Sequence, residues 1–435
     1  NTLFSWAPFC ELHCLLGRGS GTLDLRADAL RRCQAGHDME VEVDKVKLET
    51  AVRAVLAEEL GTEDLVVDSL ERHWDRRFEW CVAGAHSASV NQFGGFSCVP
   101  REGPGGRRMT RRMAMEYVED NPLGDWDGRV RVSVLPKLEH GKVRAIYSCN
   151  TVSYASFSRI LRPAERKWAG RRVIVDPGAG GNYGMFKRIR TAWPRSLPVA
   201  VMLDYADFNS QHTLYAQQTV IRCLLERCPG VSDEEKDRLI TSFEKMDIYL
   251  GGQHIGRCRR SLMSGHRGTS FINSVLNAAY LRVVLGEDVY SKLQSFHVGD
   301  DVLVFARDEG FGYDIIRSMT QAGFHLQAKK QSVGRAGFEF LRMAGNRRAA
   351  HGYLARSVAS TVSGNWTTDE AQGAAASLHT AVQQARSLIN RSGNLTSYRL
   401  LVRSVQARTS LPLNVLEEVL SGQVAVGAGP VFRAD

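Results

Sequence analysis

The run Ser295-Phe-His-Val-Gly-Asp-Asp-Val-Leu-Val-Phe305 constrains this chain more than any other. Two adjacent carboxylates, Asp300 and Asp301, follow Gly299, and both flanks are apolar and strand-like. The pattern predicts a buried hairpin whose turn carries two like charges. Burying unpaired carboxylates is costly. Divalent cations would remove that cost, because hard cations take oxygen ligands. Short acidic turns are common, so the meaning of this one depends on the carboxylates and phosphate-binding groups that accompany it.

The chain has 435 residues, enough for a large core and two or three subdomains. No apolar run of about 18 residues predicts a membrane helix. The chain begins at Asn1 rather than Met, and its first residues lack the basic start of a signal peptide. A piece excised from a longer precursor or fusion is therefore expected. Net charge +9 and a pI near 9.1 permit a polyanionic partner. Nine cysteines without repeated spacing fit reduced thiols. Cys10, His13, Cys14, Cys33 and His37 match no strong zinc pattern.

Periodicity predicts helices over residues 45–59 and 67–78, and strands over 130–135 and 143–147 around a Glu-His-Gly turn. A strand at 199–203 precedes a helix over 213–227. Ser232-Asp-Glu-Glu235 is a capping box for a helix reaching about Met246. A loop over 251–265 leads to a helix over 269–285. After the Gly-Asp-Asp hairpin come a helix over 311–322, two short strands, and a mostly helical end from 369. This order predicts an α+β fold, a sheet layered with helices.

Four sets accompany the acidic turn. In Leu203-Asp-Tyr-Ala-Asp-Phe-Asn-Ser-Gln-His212, Asp204 ends an apolar strand, and Asp207 and Asn209 follow in a turn. Turns and N-caps also favour Asp and Asn. In Met263-Ser-Gly-His-Arg-Gly-Thr-Ser-Phe-Ile-Asn273, Gly265 and Gly268 allow a loop close to a ligand backbone. Thr269 and Asn273 share a helix face, where they could read a sugar hydroxyl or serve as cap and core polar group. Alternation puts Lys142 and Arg144 on one strand face, which could hold a triphosphate or lie in solvent. Finally, Lys329 or Lys330 could protonate a leaving pyrophosphate, or be surface charge.

In this order the sets resemble the palm and fingers of viral RNA-dependent RNA polymerases, across roughly residues 75–345. Asp204 matches motif A, and Ser264-Gly265…Thr269…Asn273 matches motif B. Gly299-Asp-Asp301 matches motif C. Lys137-x-Glu139…Lys142-x-Arg144 looks like motif F, Lys329 or Lys330 like motif D, and Glu339–Arg342 like motif E. Trp80-Cys-Val-Ala-Gly-Ala-His-Ser87 resembles the template contact called motif G. The wording Asp-Tyr-Ala-Asp-Phe-Asn-Ser-Gln-His is similar to that of Totiviridae and related double-stranded RNA viruses.

The resemblance implies an α+β right-hand polymerase with an antiparallel palm sheet packed on helices. It divides the chain into an N-terminal segment and fingers (1–195), a palm (196–345) with a fingers insertion near 229–260, and a helical, truncated thumb (346–435). It implies RNA-templated RNA synthesis from NTPs for replication and transcription of a double-stranded RNA genome. Two Mg²⁺ or Mn²⁺ ions would be held by Asp204, Asp300 and Asp301, with Asp300 the obligatory ligand and Asp301 the helper. The NTP would meet Lys137, Lys142, Arg144, Ser264, Gly265, Thr269 and Asn273, with Asp207 or Asn209 reading the ribose. Lys330 is favoured over Lys329 as general acid. Partners would be the RNA template, the product strand and the viral capsid protein, with no membrane, inside the particle in the host cytoplasm. Many positive-strand relatives carry a second motif A aspartate five residues after the first, where this chain has Asn209. Rival readings are a reverse transcriptase and a non-catalytic, capsid-associated RNA-binding protein.

Overall fold

A computed structural model describes residues 9–34, 36, 39–177, 181–363, 374–392 and 394–424. Asp24 caps helix α1 (Leu25–Cys33) and Asp44 caps α2 (Lys45–Leu60), each carboxylate accepting the amide hydrogen three residues on. The helix expected over 67–78 is two short ones, Leu70–Asp75 and Arg77–Trp80, broken at Arg76 with ψ 18°. Strands β1 (Val130–Glu139) and β2 (Lys142–Cys149) outrun their apolar cores, because the charged residues near the turn continue the ladder. Helix α3 (Thr151–Lys167) was not expected. Serines and arginines obscure its stripe of Phe157, Ile160, Leu161 and Ala164, which is buried.

Next come β3 (Val199–Leu203), α4 (Leu214–Leu225) and α5 (Asp233–Thr241), the last capped by Ser232 as expected. The chain then departs from expectation. Met246 begins a strand rather than ending a helix, and the predicted loop contains another strand. These are β4 (Met246–Leu250) and β5 (Gln253–Arg257), joined through Gly251-Gly252. β4 runs parallel to β1, giving a four-stranded sheet in the order β2-β1-β4-β5.

Helix α6 (Thr269–Leu285) leads to β6 (Gln294–Val298), the Gly299-Asp300 turn and β7 (Asp301–Ala306). Gly299 has φ +60°, and the first position of a tight hairpin turn takes glycine for that reason. Helix α7 (Glu309–Gln321) and β8 (Ser332–Gly334) follow. The second sheet is antiparallel, in the order β8-β3-β7-β6. Val199, Val201, Leu203, Val302 and Val304 face a core shared with α2, α4 and α6. Ala200, Met202, Leu303 and Phe305 face a second core with Phe186, Trp193 and Phe338. Both faces are covered, which is why these strands read as continuous apolar runs. Register does the decisive work: Leu203 pairs with Val302, so Asp204 and Asp301 emerge at the same end of the sheet.

A three-stranded sheet, β9 (Phe338–Phe340), β10 (Met343–Gly345) and β11 (Ala350–Gly352), precedes α8 (Leu354–Ser363) and a helical cluster around Leu388, Leu401 and Leu416. Residues 9–19 strap these parts together. Gly19 N–H donates to Glu139 O and Gly141 N–H to Gly17 O, at 3.1 Å each. Glu11 binds Arg342 and, at 2.7 Å, Arg356. All nine cysteines are free thiols. His37, from the weak zinc grouping, lies outside the described residues. Among the described residues no helix is long and apolar enough to cross a membrane.

Candidate active site

The end of the β3–β7 sheet gathers acidic groups. Asp204 follows β3, and its carboxylate oxygens lie 3.2 and 3.3 Å from Lys330 Nζ. Gln331 fixes the Asp204 backbone, with Nε2 donating to Asp204 O at 2.8 Å. Asp301 opens β7, and its carboxyl is pushed up to about 7, by burial first and then by Asp300, Glu339 and Asp204. Asp300 is exposed at the turn. Among the described residues no three His, Cys, Asp or Glu side chains form a group set to hold an ion. The donor set nevertheless suits hard cations: acidic oxygens disfavour each other's ionisation, and an ammonium group sits against Asp204.

Helix α6 holds both acidic turns. Asn273 Nδ2 donates to Asn209 Oδ1 at 2.7 Å, and its Oδ1 accepts from His212 Nε2 at 2.7 Å. Tyr280 donates to the other ring nitrogen at 3.1 Å. Burial pushes His212 down to about 4, so the ring is neutral and one tautomer satisfies the chain of bonds. One residue along, Ser274 Oγ accepts the Gly299 N–H at 2.8 Å. One turn along, Asn277 Nδ2 donates to Gly299 O at 2.9 Å, and Asn277 Oδ1 accepts from buried His297. Asp207 turns elsewhere: it has φ +42° and accepts from Ser210 Oγ at 2.6 Å. The sequence left Asp207 and Asn209 open; Asn209 is the one joined to Asn273.

The loop before α6 differs from expectation. Gly265 approaches this chain's own backbone. Its N–H donates to Tyr147 O at 2.8 Å, and an added Cβ would lie 2.4 Å from that oxygen. Ser264 Oγ accepts the Tyr147 N–H at 3.0 Å. Thr269 Oγ1 turns back to the carbonyls of Met263 and His266, at 2.6 and 2.8 Å, so it does not pair with Asn273. The loop thus docks on β2, the strand that carries the expected triphosphate cations.

Those cations share one face of the β1–β2 hairpin, where Lys137 pairs with Arg144 and Glu139 with Lys142. Glu139 holds Lys137 at 3.0 Å and Arg144 at 3.3 Å. Burial opposes its charge, but Lys137 and Arg144 hold its carboxyl below the usual range. Partial burial lowers Lys142, and Arg144, Arg342 and Lys330 lower it further, so positive charge converges on this face. Lys330 contacts Asp204, and Lys329 is exposed beside it. Sequence reading missed Ser274, Asn277, His297, Gln331 and His212. A signal existed for two of them: Ser274 and Asn277 are polar positions inside the apolar run of α6.

This architecture is shared with solved viral polymerases. The RNA-dependent RNA polymerase of a human picorbirnavirus superposes with a TM-score of 0.62, covering 99% of this chain and 86% of that one at 14% identity. An insertion-loop deletion mutant of such an enzyme gives 0.62 over 95% and 83%. At that identity the likeness is one of fold, an α+β right-hand polymerase. The family described as viral RNA-directed RNA-polymerase matches residues 6–366. A probable RNA-directed RNA polymerase of Leishmania RNA virus 1 - 1 is 37% identical over 430 residues, 97% of this chain and 48% of the relative. One of Helminthosporium victoriae virus-190S is 36% identical over 438 residues, 100% of this chain and 51% of the relative. One of Saccharomyces cerevisiae virus L-A is 23% identical, over 94% of this chain and 27% of the relative. The chain belongs to the viral RNA-directed RNA polymerase family. It spans about half the length of the first two of these relatives.

Proposed function

We propose that the chain carries out RNA-templated RNA synthesis, transferring nucleotides from NTPs to a growing strand of a viral double-stranded RNA genome. The observation that carries this reading is the arrival of Asp204 and Asp301 at one sheet end, with the Asn273–Asn209 pair held by the same helix that braces the Gly-Asp-Asp turn. A primer 3′-oxygen attacks the α-phosphorus in line, and pyrophosphate leaves. Asp204, Asp300 and Asp301 would hold two divalent ions, Mg²⁺ or Mn²⁺, which supply charge neutralisation and acidify the attacking hydroxyl.

The protein's own groups do the rest. Lys142 and Arg144, with Lys137, bind the triphosphate, and Glu139 holds Lys137 and Arg144 on that face. Asn273 and Asn209 read the ribose 2′-hydroxyl, the group that marks RNA. Ser264, Gly265 and Thr269 fix the loop behind that pair. Lys330 donates a proton to the leaving pyrophosphate. In domain terms, residues 1–195 form an N-terminal segment and the fingers with 229–260 inserted, 196–345 the palm, and 346–435 the thumb. RNA template and product strand, a capsid protein, and a place within the particle in the host cytoplasm complete the proposal.

The test is extension of a primed template in a two-by-two design, RNA or DNA template with NTPs or dNTPs. RNA template with NTPs is expected to dominate. Preference for dNTPs would favour a reverse transcriptase, and RNA binding without incorporation, with Mn²⁺ present, would favour a non-catalytic protein.

A further inference from the structure

A polar pocket lies beside the Asp207 turn. It is lined by Arg32 and Asp28 of α1, by Asp207 and Ser210, and by Arg260 and Ser261 of the loop before α6. Arg260 is 3% exposed, and its Nε and Nη2 both bind Arg31 O. Its buried Nη1 has no hydrogen-bond partner. Arg32 stands over the Tyr147 ring, 4.2 Å from its centroid; its buried Nε and Nη1 make no hydrogen bond, and the Nε has only the Asp28 carboxylate at 3.7 Å. Leaving such donors unmet is costly, so a missing acceptor is indicated.

The charges agree. With Arg31, three guanidinium groups line the pocket against two carboxylates. Asp28 is already engaged by Arg31 at 2.7 Å and by the Tyr147 hydroxyl, and stands 3.7 Å from Arg32. Asp207 is engaged by Ser210. Burial lowers Arg260, and Arg32 and Arg31 lower it further; burial also opposes the charge of Arg32, but Tyr147, Asp207 and Asp28 raise it. The backbone agrees too. Asp207 at φ +42° and Ser261 at φ +68° are non-glycine residues in the left-handed region, and both line this pocket. Such residues gather at ligand clamps.

The geometry points to a binding site for a phosphoryl group between Arg32 and Arg260, with guanidinium N–H groups as donors and the Ser261 hydroxyl at its edge. It is separate from the triphosphate face: Tyr147 lies on the opposite side of β2 from Lys142 and Arg144, by strand alternation. Asp207 is two residues from Asn209, so occupancy would set the turn that holds the ribose reader. The source is either a free nucleotide or an RNA strand.

The test uses the whole chain carrying Lys142→Ala and Arg144→Ala, which mutes the other phosphate grip. Hydrogen exchange is followed with inorganic phosphate against chloride at equal ionic strength. Slower exchange over residues 205–212 and 258–262 is expected, and no change there overturns the site. In the same background Arg260→Met and Arg32→Met are each expected to lower phosphate affinity about tenfold or more, the loss of a charged hydrogen bond. Unchanged affinity in both overturns it. Where a variant fails to fold, the exchange result without it decides. Protection by ATP but not by a short RNA assigns a free nucleotide. Protection by 5′-phosphorylated but not 5′-hydroxyl RNA assigns a strand end, and protection by both assigns the backbone; each of these supports the site.

Discussion

Replacing Asp301 by Asn should make the metal-free protein more stable at neutral pH while lowering nucleotide transfer. Asp301 sits where burial, Asp300, Glu339 and Asp204 all disfavour its charge, pushing its carboxyl from 3.8 to about 7. At about 1.4 kcal/mol per pH unit this is ~4 kcal/mol against the ionised form. Solvent at the open side of the cleft screens part of it, leaving ~2 kcal/mol as the lower figure. The unfolded chain holds this proton only to about pH 4 and the folded chain to about pH 7. Between those values the folded state binds more protons, so raising the pH lowers stability. Denaturant unfolding in EDTA from pH 4 to pH 8, wild type against Asp301→Asn, isolates this group as the difference between two profiles. The difference should be near zero at pH 4 and grow to about 2–4 kcal/mol in favour of Asp301→Asn at pH 8. Added Mg²⁺ should stabilise the wild type more than the variant. Parallel profiles, or a variant less stable at pH 8, would refute the electrostatic account of the acidic turn.

Other perturbations follow from single contacts. Gly265→Ala puts a methyl 2.4 Å from Tyr147 O, and both atoms facing it at closest approach belong to backbone. Unfolding measurements should show a loss of ~3 kcal/mol, the upper end of overpacking costs, with a raised KM for NTP. Ser274→Ala leaves the Gly299 N–H without its acceptor and should cost about 1–3 kcal/mol in the same assay. Asn273→Ala should weaken discrimination of NTP over dNTP by about tenfold, equivalent to about 1.4 kcal/mol, in competitive single-nucleotide incorporation. Because His212 is neutral above about 4, that discrimination should stay constant from pH 6 to pH 9 in the wild type.

The parts legible in the sequence are those written in local pattern. The β3 strand, the start of α6 and the tight turn before Asp301 follow from apolar runs, a glycine and the residues beside them. The parts that were not legible depend on partners distant in the chain. Met246-Asp-Ile-Tyr-Leu250 alternates weakly and becomes a strand because β1 offers it a parallel edge. Helix α3 hides its apolar stripe among serines and arginines and a proline. Gly265 looked like a residue kept small for a ligand, whereas the close neighbour is Tyr147, more than a hundred residues upstream. The strap over residues 9–19 carries no periodic signal, since its work is done by Glu11 meeting Arg342 and Arg356. For the site, which of Asp207 and Asn209 joins Asn273 was not legible, because it depends on which way a left-handed turn faces.

The most direct measurement of the central claim is incorporation of labelled NTPs on a primed RNA template with Mg²⁺ or Mn²⁺, using wild type, Asp204→Asn and Asp300→Asn. The account predicts template-complementary product from the wild type and its loss in both variants with folding intact. Wild-type incorporation by either variant would contradict the carboxylate assignment, and no incorporation by the wild type with either ion would contradict the function.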